Sequence, residues 1–348
     1  MNKTIDFRSD TVTQPTHAMK EAMMVAPLGD DVFGDDPTVN RLQEKVASLL
    51  GFEDALYMPT GTQSNLCALM AHCGRGDEYL VGQMAHTYRW EAGGAAVLGS
   101  IQPQPLEQNA DGTIALEKIE ASIKPDDPHF AMSRLLALEN TWNGRLMGLD
   151  YLLQATTLAK SRGLATHLDG ARLFNAAVAL ADQSQQTTAV ALRAITQPFD
   201  SVSVCFSKGL GAPMGSMLCG SKMLIRQARR VRKMAGGALR QVGMVAAAAN
   251  YALDHHVERL REDHAKAVQL AAGLTAMNAL TVDGAHTNMV FVELNGRWRD
   301  RQTEFQTHLN AAGILTTGTY KLRFVTHLDL SAEDIDRALT HIEAFFKA

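Results

Sequence analysis

The chain has 348 residues, 46% of them hydrophobic and 6% aromatic, with 33 Lys and Arg against 37 Asp and Glu and a formal charge of -4. That composition excludes a largely disordered chain, and the near balance of charge excludes polyanion binding by bulk attraction, so no nucleic-acid partner is expected. A single apolar core stops growing at roughly 250 to 300 residues, so two unequal domains with a cleft between them are expected.

The start, Met1 to Asp10, is polar, and the longest apolar stretch, Met244 to Ala249, is far too short to span a bilayer. A soluble, cytoplasmic protein with no membrane partner is expected. The first strong element is Pro37 to Leu50, where Val39, Leu42, Val46, Leu49 and Leu50 form a helical stripe that Gly51 ends. Short apolar runs follow at Ala55 to Met58, Glu78 to Val81, Leu135 to Leu138, Ala165 to Leu168, Ser201 to Phe206 and Ser216 to Cys219. Helical patterns such as Leu149 to Ser161 lie between them, an alternation that predicts an α/β domain with a largely parallel sheet. From about Val245 the pattern changes. A long alanine-rich helix (Val245 to Asn278) is expected, then a strand at Asn288 to Leu294, a helix near Glu304 to Ala312, a strand at Lys321 to Thr326 and a last helix from Ser331. The predicted division is a large domain over 1–245, with residues 1–15 as an N-terminal arm, and a small domain over 246–348. Cys67, Cys73, Cys205 and Cys219 have neither CxxC nor ligand spacing, so reduced core thiols are expected and no metal site.

Three segments at the ends of predicted strands carry chemistry, because that edge of an open α/β sheet binds ligands. In Tyr57 to Asn65, Gly61 opens a helix whose backbone N–H groups, with the Thr62 and Ser64 hydroxyls nearby, can cradle a phosphate; an ordinary capped turn has the same pattern. In Leu164 to Arg172, an apolar strand ends at Asp169, suited to a protonated ring nitrogen or to a helix cap, and Arg172 could hold an anion. In Val202 to Gly215, Lys208 stands between an apolar strand and a glycine-rich loop, where partial desolvation favours the neutral amine that attacks an aldehyde. Phosphate cradle, ring-nitrogen acid and lysine, in that order, are the constellation of a pyridoxal phosphate enzyme.

The chain also resembles the low-specificity L-threonine aldolases, grouped with the β-eliminating lyases. The resemblance rests on Asp6 to Thr13, Gly29 to Thr38, Pro59 to Thr62, His86 with Glu91 to Gly94, Leu138 to Thr141, His167 to Arg172, Phe206 to Pro213 and Leu322 to His327, and so runs through nearly the whole chain. It implies the fold of type I pyridoxal phosphate transferases, with a mainly parallel seven-stranded sheet and a smaller C-terminal α/β domain. By the same resemblance, pyridoxal 5'-phosphate is covalently held by Lys208, its ring nitrogen by Asp169, and its phosphate by Gly61 and Thr62. His86 lies over the ring and handles protons, and Ser9, Arg172 and Arg323 hold the substrate carboxylate. Arg240 reaches a cofactor phosphate across a subunit boundary, which implies a homodimer or homotetramer with shared sites. Arg226, Arg229, Arg230 and Lys233 are read as a solvated helix face, and His255, His256 and His264 as exposed helix histidines.

The chain departs from this pattern at Trp142, where relatives carry histidine. An indole has a donor and no acceptor, so Trp142 cannot take the substrate's hydroxyl proton, and His86 or a phosphate-bound water must serve. Phe33 stands where many relatives have tyrosine, at an expected subunit contact. The implied reaction is retro-aldol cleavage of L-threonine, L-allo-threonine and related β-hydroxy-α-amino acids to glycine and an aldehyde, with phenylserine accepted against the Trp142 wall. The alternatives are β-elimination or transamination on the same scaffold, and a non-catalytic cofactor-binding protein.

Overall fold

The computed structural model describes residues 3–318 and 321–347. The strands are β1 (Ile5–Asp6), β2 (Asp54–Met58), β3 (Glu78–Gly82), β4 (Gln102–Leu106), β5 (Ser133–Glu139), β6 (Ala165–Gly170), β7 (Ser201–Cys205), β8 (Ser216–Gly220), β9 (Leu280–His286), β10 (Met289–Leu294), β11 (Ile314–Leu315) and β12 (Leu322–Val325). Seven of them form one sheet in the order β2-β8-β7-β6-β5-β3-β4. Only β8 runs against the others, so six strands present their carboxyl ends at one edge.

The helix Pro37–Leu50 shows how the local sequence sets this frame. The Asp36 carboxylate accepts the Thr38 and Val39 N–H groups, Pro37 starts the helix, and Gly51 ends it at φ +80. Its stripe of Val39, Leu42, Val46 and Leu50 is buried in the large core beside Tyr57, Leu168 and Val202. The apolar strands expected from the sequence are all present, and β4 is an additional edge strand that its two prolines, Pro103 and Pro105, disguise.

Two findings differ from the expected layout. The alanine-rich stretch is two helices, Gly243–His255 and Leu260–Thr275, not one. The first packs in the large core through Ala246, Ala248, Ala249 and Ala252; the second contributes Ala267, Leu270 and Leu274 to the small core. The apolar packing therefore passes from the large core to the small one after Leu260. The start of the N-terminal arm joins the small core: β1 pairs with β11, and Phe7 meets Phe324 edge-on with ring centroids 5.6 Å apart. The rest of the small unit is the antiparallel sheet β12-β10-β9 with helices Gln302–Ala311 and Ala332–Lys347. Among the described residues no helix is long and apolar enough to cross a membrane, and all four cysteines are free and buried.

Candidate active site

The sheet delivers the site residues to its carboxyl edge. Gly61 and Thr62 follow β2, His86 and Glu91 follow β3, Glu139 ends β5, Asp169 lies at the end of β6, and Lys208 follows β7. Neighbouring strands β7, β6 and β5 thus set Lys208, Asp169 and Glu139 side by side, with Glu139 directly opposite Asp169 in register.

The helix Gly61–His72 opens toward this edge. Thr60 caps it by accepting the Gln63 N–H at 3.1 Å, which leaves the Gly61 and Thr62 N–H groups directed outward with no bond among the described residues. Gly61 is required by close approach, because a Cβ there would sit 2.6 Å from the Cys205 Sγ. Ser64, expected beside a phosphate, is turned away: it is fully buried and its Oγ lies 2.7 Å from the Ser203 Oγ, under the sheet. Gln63 donates to the Ala235 carbonyl and its amide crowds Gly237, so the glycine turn before Arg240 abuts the same helix end. Arg240 itself pairs with Asp30 at 2.9 Å, with its side chain 56% exposed. Among the described residues no hydrogen bond or ion pair joins it to Lys208 or Asp169.

Asp169 is 3% exposed. Its Oδ1 accepts the Ala171 N–H at 3.0 Å and its Oδ2 accepts from Asn65 Nδ2 at 2.9 Å. The same Asn65 nitrogen donates to Glu91 at 2.9 Å, and Glu91 in turn lies 2.9 Å from His86 Nδ1. One amide therefore ties Asp169, through Glu91, to His86. The bond to Glu91 raises the pKa of His86 and fixes its proton on Nδ1, which leaves Nε2 bare in the neutral ring. Burial and the adjacent Asp169 raise the Glu91 pKa. Glu139 accepts the His86 backbone N–H at 2.9 Å, and burial, reinforced by Asp169, pushes its carboxyl up to about 7. Lys208 is partly exposed and close enough to Asp10, His86, Glu139 and Cys205 to act on the ionisation of each.

Arg172, Arg323 and Ser9, the residues expected to hold a substrate carboxylate, come from different parts of the chain. Arg172 is clamped by Asp10 through Nε at 2.8 Å and Nη2 at 2.6 Å, and Asn288 Nδ2 supports Asp10 at 3.2 Å. Burial opposes ionisation of Asp10, yet Arg172, Lys208 and Asn288 together hold it well below the usual carboxylate range. Arg172 is thus first a partner of Asp10, with Nη1 free of that clamp. Arg323 reaches the same region from β12, where its buried neighbours Leu322 and Phe324 face the small core and turn Arg323 to the opposite side. Burial and the nearby Arg172 lower its pKa; Nη2 donates to the Arg8 carbonyl at 3.0 Å, and Nε is buried with no hydrogen-bond partner among the described residues. Arg172 is bonded to the Asp10 carboxylate and Arg323 feels it only electrostatically, so the two guanidiniums and one carboxylate leave a net positive charge complementary to an amino acid's carboxylate. Ser9 stands next to them, its Oγ accepting the Thr11 N–H at 3.3 Å. Trp142 lies in the loop after β5 with its ring against Gly112, where a Cβ would come within 2.7 Å of the indole, and its buried Nε1 has no hydrogen-bond partner among the described residues.

The donor set fits pyridoxal 5'-phosphate: open helix N–H groups for a phosphate, a buried carboxylate for a ring nitrogen, and a strand-end lysine for an aldehyde. Sequence reasoning missed Asp10, Asn65, Glu91 and Glu139 as site members. All four lie in segments that carry motifs, but only their contacts distinguish them from neighbouring polar residues. His256 and His264 are not exposed helix residues. His256 Nδ1 lies 2.7 Å from the Leu210 carbonyl, behind the lysine loop, and His264 Nε2 lies 3.0 Å from Asn175.

Comparison with known proteins identifies the family. The profile of the beta-eliminating lyase family matches residues 6–296. The chain is 50% identical over 341 residues to the low-specificity L-threonine aldolase of Escherichia coli K12, covering 98% of this chain and 99% of that one. It is 40% identical over 350 residues to low-specificity L-threonine aldolase 1 of Arabidopsis thaliana, covering 97% and 95%. Among solved structures, the threonine aldolase of Leishmania major superposes with a TM-score of 0.82 at 19% identity, covering 98% and 99%. The serine palmitoyltransferase of Sphingomonas wittichii does so at 0.74 and 18%, covering 99% and 88%, which places the fold among type I pyridoxal phosphate enzymes. The chain belongs to the beta-eliminating lyase family, among the low-specificity L-threonine aldolases.

Proposed function

We propose that the protein is a pyridoxal phosphate-dependent lyase that cleaves L-threonine, L-allo-threonine and related β-hydroxy-α-amino acids to glycine and an aldehyde. The observation that carries this reading is the 50% identity to a low-specificity L-threonine aldolase over nearly the whole of both chains. The clustering of Lys208, Asp169, His86, Arg172 and Arg323 at one cleft supports it.

When bound, the cofactor supplies an electron sink for the negative charge left on the amino acid's α-carbon. Asp169 is the group for the ring nitrogen, Gly61 and Thr62 for the phosphate, and Lys208 for the aldehyde. Arg172, Arg323 and Ser9 orient the substrate carboxylate, with Asp10 holding Arg172 in a fixed fork. His86 is the proton acceptor for the β-hydroxyl: Glu91 holds Nδ1–H, so the proton passes to Nε2. Trp142, without an acceptor, shapes the pocket wall and accommodates phenylserine. Chromatography of products from L-threonine, L-allo-threonine and their D forms tests the reading. Equimolar glycine and acetaldehyde are expected; pyruvate, ammonia or a keto acid without glycine would refute it.

Self-association into a homodimer or homotetramer belongs to the same proposal. Met24, Val25, Leu28, Val32 and Phe33 form an exposed apolar stretch, with Phe33 76% exposed, beside the Asp30 that pairs with Arg240. Cover by a second subunit would release Arg240 toward that subunit's phosphate cradle. Buried, reduced thiols accord with a cytoplasmic location.

A further inference from the structure

Behind Asp169 runs a chain of buried polar side chains with no part in substrate contact. Asn65 Oδ1 lies 3.2 Å from His167 Nε2, His167 Nδ1 lies 2.8 Å from the Ser201 Oγ, and that Oγ lies 2.7 Å from His72 Nε2. His167 and Asp169 are two residues apart on β6 and so share a face, and Ser201 is the cross-strand partner of His167. Asn65, His167 and Ser201 are all at most 2% exposed.

Chemistry fixes the direction of every link. Asn65 faces two carboxylates, which only accept, so its nitrogen points at Asp169 and Glu91 and its oxygen at His167. His167 Nε2 must then carry the proton. Burial drives the His167 pKa down to about 3 and the His72 pKa down to about 4, so both rings are neutral and each has one N–H. His167 Nδ1 is therefore bare and accepts from the Ser201 hydroxyl, whose oxygen accepts from His72 Nε2–H. Both Asn65 hydrogens thus end on acids of the site, one on Asp169 and one on the Glu91 that holds His86.

We propose that His167, acting through Asn65, is a positioning residue that locks Asp169 toward the cofactor's ring nitrogen and Glu91 toward His86. This rests on the pyridoxal phosphate reading above. If the lock is lost, the Asn65 amide can rotate and set its oxygen against Asp169 or Glu91, replacing attraction by repulsion between acceptors. The charged or titratable groups that interact with Asp169 are His86, Glu91, Glu139, His167 and Cys205.

The test uses the holoenzyme of wild type, His167→Leu, His167→Gln and Ser201→Ala, with cofactor affinity, induced circular dichroism and the pH midpoint of the visible band as readouts. His167→Leu is expected to weaken cofactor binding about tenfold, as loss of a buried hydrogen-bond partner does, and to move the midpoint. His167→Gln, which can donate and accept at the same places, is expected to stay near wild type. Ser201→Ala, which leaves His167 in place without its donor, is expected to move the midpoint in the same sense by less. Failure of wild type to bind pyridoxal phosphate would overturn the cofactor reading itself. A wild type that binds, with the midpoint and affinity of folded His167→Leu unchanged, would overturn the lock. If His167→Leu does not fold, an unchanged midpoint in Ser201→Ala overturns it equally.

Discussion

Gly61 offers the sharpest test of the proposed phosphate cradle. An alanine Cβ at this position would lie 2.6 Å from the Cys205 Sγ, and ordinary contact begins at 3.4 Å, so the helix start and the strand end must separate by about 0.8 Å. The backbone of Gly61 has no positive φ, so it accepts alanine without strain, and alanine is the better helix former by up to about 1 kcal/mol. Any loss in Gly61→Ala is therefore steric, expected at about 1–3 kcal/mol from forced overpacking. Cys205→Ala alone removes a buried sulfur and costs on the order of 1 kcal/mol. It also removes the obstacle, so Gly61→Ala should be neutral or slightly stabilising in that background. Urea unfolding of the four proteins gives the coupling energy, and titration with pyridoxal phosphate shows whether the displaced N–H groups lose affinity. Displacements near 1 Å cost up to about a hundredfold where groups must be aligned, so a clear drop is expected in the single variant and recovery in the double. An equal penalty for Gly61→Ala in both backgrounds would refute the packing argument.

Asp10→Asn leaves the buried Arg172 guanidinium without its carboxylate and is expected to cost about 3–5 kcal/mol in denaturant unfolding at pH 7. Because Asp10 is held below its ordinary value, its contribution is complete above about pH 4 and lost as pH falls further, so wild type and variant should converge in acid. Glu139 has the opposite sign: its folded pKa is raised to about 7, so ionising it costs stability as pH rises from the ordinary carboxyl range through neutrality. Glu139→Gln should flatten that decline in unfolding profiles between pH 5 and 8, taken as roughly the window those values set; an unaltered profile would remove the assignment. Arg323→Lys keeps the charge but loses the planar fork, so KM for the amino acid should rise about tenfold or more with little change in melting temperature, as steady-state kinetics and calorimetry would show.

Much of this molecule was legible in one sequence. The helix Pro37–Leu50 and the apolar strands follow from periodicity and capping, which are local, and the placement of Asp169 and Lys208 at strand ends follows from the rule that open sheets bind ligands there. What the sequence determined was therefore the set of elements and the chemistry at their ends. Strand order and contact between distant residues required the fold. Nothing local in Asp10 tells that it would clamp Arg172, 162 positions away, nor in Asn65 that its amide would span Asp169 and Glu91. Ser64, by contrast, looked like a phosphate ligand because a hydroxyl near a helix start is suited to one, until its place on the inner face of the helix turned it to Ser203. The division of the alanine-rich helices was likewise undecidable locally, since alanine packs in either core; which core each joins depends on the surface it meets. Charge had the same limit: a total of -4 conceals Arg172 and Arg323 set against one buried carboxylate, an arrangement that exists only once β12 and the end of β6 are brought to the same cleft.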